Sequence, residues 1–115
     1  MKYMLLIYGE EAIDAARSKA ENEQRMGAYM AYTKAMHEAG ILVDGNRLKP
    51  TSAGSTVRVA SGKSKVLDGP YADTKEQLGG YYMIDVPDLD QPIAWAAKCP
   101  GASGGAVEVR PVWEM

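Results

Sequence analysis

Tyr3-Met4-Leu5-Leu6-Ile7-Tyr8, closed by Gly9, is the stretch that decides the fold. It has strand length and no polar alternation, which suits a central strand buried on both faces. A second run of this kind, Gly79 to Val86, places Tyr81 and Met83 on one side and Tyr82, Ile84 and Val86 on the other.

Residues 10–20 are polar and alanine-rich and give no firm signal beyond a possible helix start. From about Glu21 to Ala39 the period changes. Met26, Tyr29, Met30, Thr33, Met36, His37 and Gly40 recur at three- and four-residue spacing, which predicts an amphipathic helix capped by Gly40. Ile41 to Val43 reads as a short strand, Asp44-Gly45-Asn46 as a turn, and Leu48 to Ser55 as a loop. Thr56–Ala60 and Lys65–Asp68 predict a hairpin through Ser61-Gly62-Lys63-Ser64, followed by a polar loop over 69–78.

A second helix starts at Asp88 or Asp90, because Pro92 is tolerated only in a first turn. Asp88 with Gln91 resembles a capping box, Leu89, Ile93, Ala96 and Ala97 form the expected buried stripe, and Pro100-Gly101 ends the helix. Ala106 to Val112 is the last strand, with Val107 and Val109 opposed to Glu108 and Arg110. This order predicts one α+β domain over residues 1–115, a ferredoxin-like split βαβ plan with an inserted hairpin and both helices on one sheet face. The other face is apolar too, and leaving it to water would expose a large patch. A homodimer packing sheet on sheet is therefore expected.

Composition removes other classes. The chain has 115 residues, 46% hydrophobic and 24% charged, ordinary for a globular domain. Thirteen basic and fifteen acidic residues give a net charge of −2 without a basic cluster, which argues against nucleic-acid binding. One cysteine, Cys99, and one histidine, His37, supply neither an internal disulfide nor a zinc site, so no metal or cofactor is expected. The longest apolar run, Met4 to Tyr8, is far below the ~20 residues that span a bilayer, and no secretory h-region is evident. A cytoplasmic protein without membrane contact is the expectation.

Val66 to Ile84, VLDGPYADTKEQLGGYYMI, is the most specific segment. It resembles the DGPF branch of the YCII-related family, with Tyr71 where the signature has phenylalanine. KYMLLIYG, AGILVDG, TVRV and GAVEVRPV extend the resemblance over nearly the whole chain. The resemblance implies a dimeric α/β-barrel of two ferredoxin-like subunits. Most members have no assigned activity. One branch is associated with cofactor-free dehydrochlorination of an aromatic substrate, and some members are encoded beside extracytoplasmic-function sigma factors. A helix histidine paired with aspartate, proposed as an active site in another branch, is not carried over. Its position falls near Ala28 or Tyr29, and His37 lies more than two turns later.

The signature loop gathers Asp68, Tyr71, Asp73, Lys75 and Glu76. Asp68 or Glu76 is a candidate general base, with Lys75 or Tyr71 supplying electrostatic stabilisation or a proton, chemistry that needs a carboxylate partly removed from water. The same residues also suit a turn: Asp68-Gly69-Pro70 is good turn chemistry, and Asp73 with Glu76 can cap a helical turn. Arg58, Glu108 and Arg110 alternate with valines and either surround a polar cavity, where a guanidinium holds a carboxylate ligand, or form a solvated face. Tyr8, Tyr29, Tyr32, Tyr81 and Tyr82 are mostly core candidates, with Tyr8 and Tyr81 the preferred pair for a shared cavity. His37 suits a helix C-terminus, and Cys99 reads as a structural or surface thiol.

Two functions compete on these residues. One is a cofactor-independent acid–base enzyme of lyase, isomerase or dehalogenating type acting on a small organic molecule. The other is a non-catalytic ligand-binding or regulatory module linked to a sigma-factor pathway. Convergence of titratable side chains on a closed pocket would favour the enzyme.

Overall fold

The computed structural model describes residues 1–72 and 74–114. Its main sheet has four strands in the order β2 (Leu42–Arg47), β5 (Gln77–Asp85), β1 (Lys2–Gly9) and β6 (Ala106–Pro111), every neighbouring pair antiparallel. The two apolar runs are thus the two central strands. Helix α2 (Lys19–Glu38) carries the chain from β1 across β5 to β2, and α3 (Asp90–Lys98) carries it from β5 across β1 to β6. The short α1 (Glu11–Ala15) precedes α2, which makes three helices in a mixed α/β architecture. Strands β3 (Ser55–Ala60) and β4 (Lys63–Asp68) form a separate two-stranded sheet.

The core lies on one face of the main sheet. Tyr3 and Leu5 of β1 and Ile84 of β5 meet Tyr32 and Met36 of α2, Ala96 of α3, and Cys99 and Val86 beyond α3 and β5. Val107 and Val109 of β6 pack against this cluster, so Glu108 and Arg110 face the other way, as their alternation predicts. Tyr32 ties the helices together: its hydroxyl donates to the Trp95 carbonyl at 2.7 Å, and its ring stands edge-on to Tyr82 and Trp95.

Three expectations need correction. The α2 stripe does not run through Met26, Met30 and His37, which are exposed. It runs through Arg25, Tyr29, Tyr32, Thr33 and Met36, a stripe of the same period rotated by about one residue, which puts Tyr32 and Met36 into the core. In α3, Leu89 and Ile93 are exposed, while Pro92, Trp95 and Ala96 face inward. Third, Asp44-Gly45-Asn46 is strand, not turn. A Cβ on Gly45 would stand 2.6 Å from the Tyr82 ring, so glycine serves close cross-strand packing there.

Helix α2 begins with a capping box. Ser18 Oγ accepts from the Glu21 amide at 3.1 Å, and the Glu21 carboxylate accepts from the Ser18 amide. It ends as expected at Gly40, whose φ of +71° is the left-handed cap. The β3–β4 turn is Ser61-Gly62, both at positive φ, a tight two-residue connection.

The molecule is a slab of 47 × 44 × 18 Å with a radius of gyration of 16.0 Å. A compact chain of this length would have a radius of about 13 Å. The difference reflects a sheet covered by helices on one side only and a hairpin that extends from it.

Candidate functional site

The uncovered sheet face carries a strip of apolar side chains with tyrosine–carboxylate pairs at its sides. Met4 and Leu6 of β1 stand opposite Met83 and Tyr81 of β5, all half-buried. On the β6 side, Tyr8 Oη donates to Glu108 Oε1 at 3.3 Å. Glu108 Oε2 in turn accepts from Arg110 Nε at 2.7 Å, and a second guanidinium nitrogen completes the ion pair. On the β2 side, Tyr81 Oη donates to Asp44 Oδ2 at 3.3 Å and accepts from Asn46 Nδ2 at 3.0 Å. The preferred pair, Tyr8 and Tyr81, therefore shares one face, each held by a carboxylate.

The signature loop is arranged differently. Asp68 ends β4 and is exposed, and its carboxylate accepts no hydrogen bond among the described residues. Gly69 follows at φ +105°, a conformation that calls for glycine; its amide donates to the Gly54 carbonyl at 2.7 Å and closes the hairpin base. Tyr71 is exposed beneath the Arg58 guanidinium, 4.8 Å from its ring centre. Arg58 thus lies on the hairpin, not between main-sheet strands. Lys75 is 83% exposed and pairs with Glu10 at 3.4 Å, and Glu76 is exposed. Asp73 lies outside the described residues. Beyond Glu76, the Gln77 side chain accepts from the Glu11 amide at 3.0 Å, and the Glu11 carboxylate takes both the amide and the hydroxyl of Thr51. The loop therefore ties α1 and the hairpin approach to the sheet, and Asp68, Lys75 and Glu76 are all exposed in one chain.

A third feature is a small cleft where β1 ends. Tyr8, Gly9, Glu10, Ile13, Asp14, Arg17, Arg25 and the glycine-rich turn Gly101–Gly105 line it. The turn packs flush on the strand: a Cβ on Gly105 would meet the carbonyl oxygens of Tyr8 and Gly101, and one on Gly101 would stand 2.5 Å from Tyr29 Oη. Tyr29 is half-buried beside this wall. Burial, with a smaller push from nearby Cys99, raises its hydroxyl to about 12, while Arg25 acts in the opposite sense. Burial likewise raises the Cys99 thiol, against hydrogen bonds from the Gly101 backbone and Tyr29. Cys99 is therefore a protonated core residue at neutral pH, the structural thiol of the two expected alternatives.

Arg25 and Asp44 are the functional candidates that pattern analysis did not single out. Arg25 precedes Tyr29 by one helical turn, a signal present in the sequence; Asp44 was masked by its resemblance to a turn. Among the described residues, no group of three or more His, Cys, Asp or Glu side chains stands at metal-binding spacing, and no helix is long and apolar enough to cross a membrane.

An antiparallel sheet with helices on one face and paired tyrosines on the other defines a small mixed α/β domain. Over residues 1–115 the chain matches the family described as the YCII-related domain. It is also 42% identical over 114 residues to an uncharacterised protein of Rhizobium meliloti (strain 1021), covering 97% of this chain and 92% of that one. The chain belongs to the YCII-related family.

Proposed function

We propose that this protein is a cofactor-independent acid–base enzyme of the DGPF branch, working on a small organic molecule inside a homodimer of ferredoxin-like subunits. The observation that carries the proposal is the pair of tyrosine–carboxylate hydrogen bonds, Tyr8–Glu108 and Tyr81–Asp44, flanking an apolar strip on one uncovered sheet face. The strand order, with each helix crossing over one intervening antiparallel strand, supports the ferredoxin-like plan. Asp68-Gly69-Pro70-Tyr71 supports the branch.

Packing two such faces together would shield the apolar strip and turn the open face into a barrel cavity. Removed from water, Glu108 would accept a proton from the substrate, and its neutralisation would free the Tyr8 O–H to turn from Glu108 to the charge that develops. Arg110 orients the Glu108 carboxylate. Tyr81 with Asp44 forms the corresponding pair on the opposite side. Asp68, Lys75 and Glu76 stay acid–base candidates only in the assembled dimer, since in one chain all three are exposed. That exposure favours a second reading, a ligand-binding module without chemistry, which a sigma-factor pathway would use.

Sedimentation at micromolar concentration, followed by incubation with small phenols, carboxylic acids and halogenated aromatics under NMR observation, tests the proposal. A dimer that turns over a compound, with turnover lost in Tyr8→Phe and Glu108→Gln, supports it. A monomer at all concentrations overturns the enclosed cavity. A dimer that binds compounds from the panel and transforms none leaves the binding-module reading in place of the enzyme.

A further inference from the structure

We propose that the cleft at the end of β1 is a second site, separate from the sheet face, that takes the head of a small monocarboxylate on Arg25. Arg25 is half-buried on α2 with its guanidinium 5.4 Å from the Tyr29 ring centre. The other charges of the cleft are already matched: Glu10 pairs with Lys75, and Asp14 pairs with Arg17. Arg25 alone lines the cleft without a carboxylate within ion-pair distance among the described residues. The guanidinium nitrogens keep access to water and have no protein counter-ion among the described residues, so an anion can take the place of part of their hydration. Stacking on Tyr29 holds the planar group, whose forked N–H donors match the two oxygens of a carboxylate.

Size and charge narrow the ligand further. The cleft is small and opens to solvent, so a carboxylate head can reach Arg25 while the rest of the ligand stays outside. Gly101, Gly104 and Gly105 line the cleft with backbone, and the first and last admit no Cβ because the turn packs flush against β1 and Tyr29. Glu10 and Asp14 also line it, and their charges oppose a dianion more than a monoanion.

The test is a ¹H–¹⁵N NMR titration of the full chain with sodium acetate, acetamide and sodium phosphate at constant ionic strength. Acetate should shift the amides of Gly101, Ser103, Gly104 and Gly105 and the Arg25 Nε–H saturably. Its dissociation constant should rise about tenfold or more in Arg25→Gln, the ordinary effect of losing a charged hydrogen-bond partner. Arg25→Lys, which keeps the charge without the fork, should fall between the two, and guards against a folding defect in the glutamine variant. Acetamide should leave the cleft amides unmoved, and phosphate should bind more weakly than acetate. Absence of saturable shifts at these amides overturns the site. Equal acetate binding in Arg25→Gln, or equal binding of acetamide, overturns the role of Arg25. Tighter binding of phosphate overturns the monocarboxylate assignment.

Discussion

The helix-covered face of the main sheet and the β3–β4 hairpin are written in similar residues and end in opposite surroundings. In β1 and β5, Tyr3, Leu5 and Ile84 are sealed under α2 and α3, with Leu5 and Ile84 fully buried. In the hairpin, Val57, Val59 and Val66 line up on one face across the two strands, and Val59 is 69% exposed. Two strands alone are marginally stable in water, and an uncovered valine row adds only the small cross-strand contact of Val57 with Val66. Side-chain alternation thus specifies that a segment is strand, while burial depends on what the rest of the chain, or a second chain, lays over it. The uncovered face of the main sheet stands between these extremes, its Met4, Leu6 and Met83 only half-buried.

The largest expected effect comes from the covered face. Leu5→Ala should cost about 2–5 kcal/mol, read as a lowered urea midpoint with an unchanged slope. Val59→Ala should stay within about 0.5 kcal/mol if the hairpin is free in solution. A cost for Val59→Ala approaching that of Leu5→Ala would show that another surface covers the arm and would erase the contrast.

Next in size is the uncovered face. Leu6→Asp places a charge in the centre of the strip while sparing the helix-side core, since Leu6 and Leu5 point to opposite faces. In the proposed dimer the charge would be buried unpaired, so sedimentation should change from dimer to monomer at micromolar concentration. Unchanged sedimentation of Leu6→Asp would mean that this face is not the interface.

Much of this contrast was legible in advance. The unbroken apolarity of residues 3–8 and 79–86 marks central strands, and the opposition of Tyr81 and Met83 to Tyr82 and Ile84 holds in the register. Ser18-Lys19-Ala20-Glu21 was a readable capping signal for the start of α2, and the polar run around it hid the boundary. In α2 two phases of one helical period compete, 25-29-32-36 and 26-30-33-37, and periodicity alone does not choose between them; the contacts of Tyr32 and Met36 with the sheet do. Tyr8 and Tyr81 were candidates for a shared cavity on chemistry alone, and they stand on one sheet face. Their carboxylates were not legible as partners, because Glu108 and Asp44 come from β6 and β2, and strand order is not visible in local pattern. Charge density drew attention to the signature loop, yet charge density is what a solvated connection also has.

A smaller effect concerns pH and again separates the two regions. Burial raises the hydroxyls of Tyr29, Tyr32 and Tyr82 and the thiol of Cys99 above their ordinary values of 10.0 and 9.0. The folded state then holds these protons more tightly than the unfolded chain. The stabilisation is complete below pH 9.0, the ordinary thiol value, and is lost as pH climbs toward about 12, where Tyr29 ionises in the folded state. The melting temperature should fall steadily over that range, and Tyr29→Phe should flatten the fall. An unaltered slope in that variant would remove Tyr29 from the account.

The smallest expected effect lies in the signature loop. A turn in which the Asp68 carboxylate binds backbone amides would lose about 0.5–2 kcal/mol on Asp68→Ala, the range for losing a side-chain cap. Asp68 instead accepts no hydrogen bond among the described residues, and the hairpin base is closed by Thr56 donating to the Gly69 carbonyl at 2.9 Å and by the Gly69 amide. Asp68→Ala and Glu76→Gln should therefore shift the melting temperature by no more than about 2–3 °C, the reach of a surface substitution in a domain of this size. Gly69→Ala, at φ +105°, should shift it further, because the backbone there is strained for any side chain. Near-silent carboxylate variants alongside a damaging glycine variant would assign the fold-building part of the motif to its glycine, and leave Asp68 and Glu76 available for a role that only the assembled dimer or its ligand reveals. Marked destabilisation in both carboxylate variants would reverse that assignment and make the acidic residues themselves part of the hairpin's support.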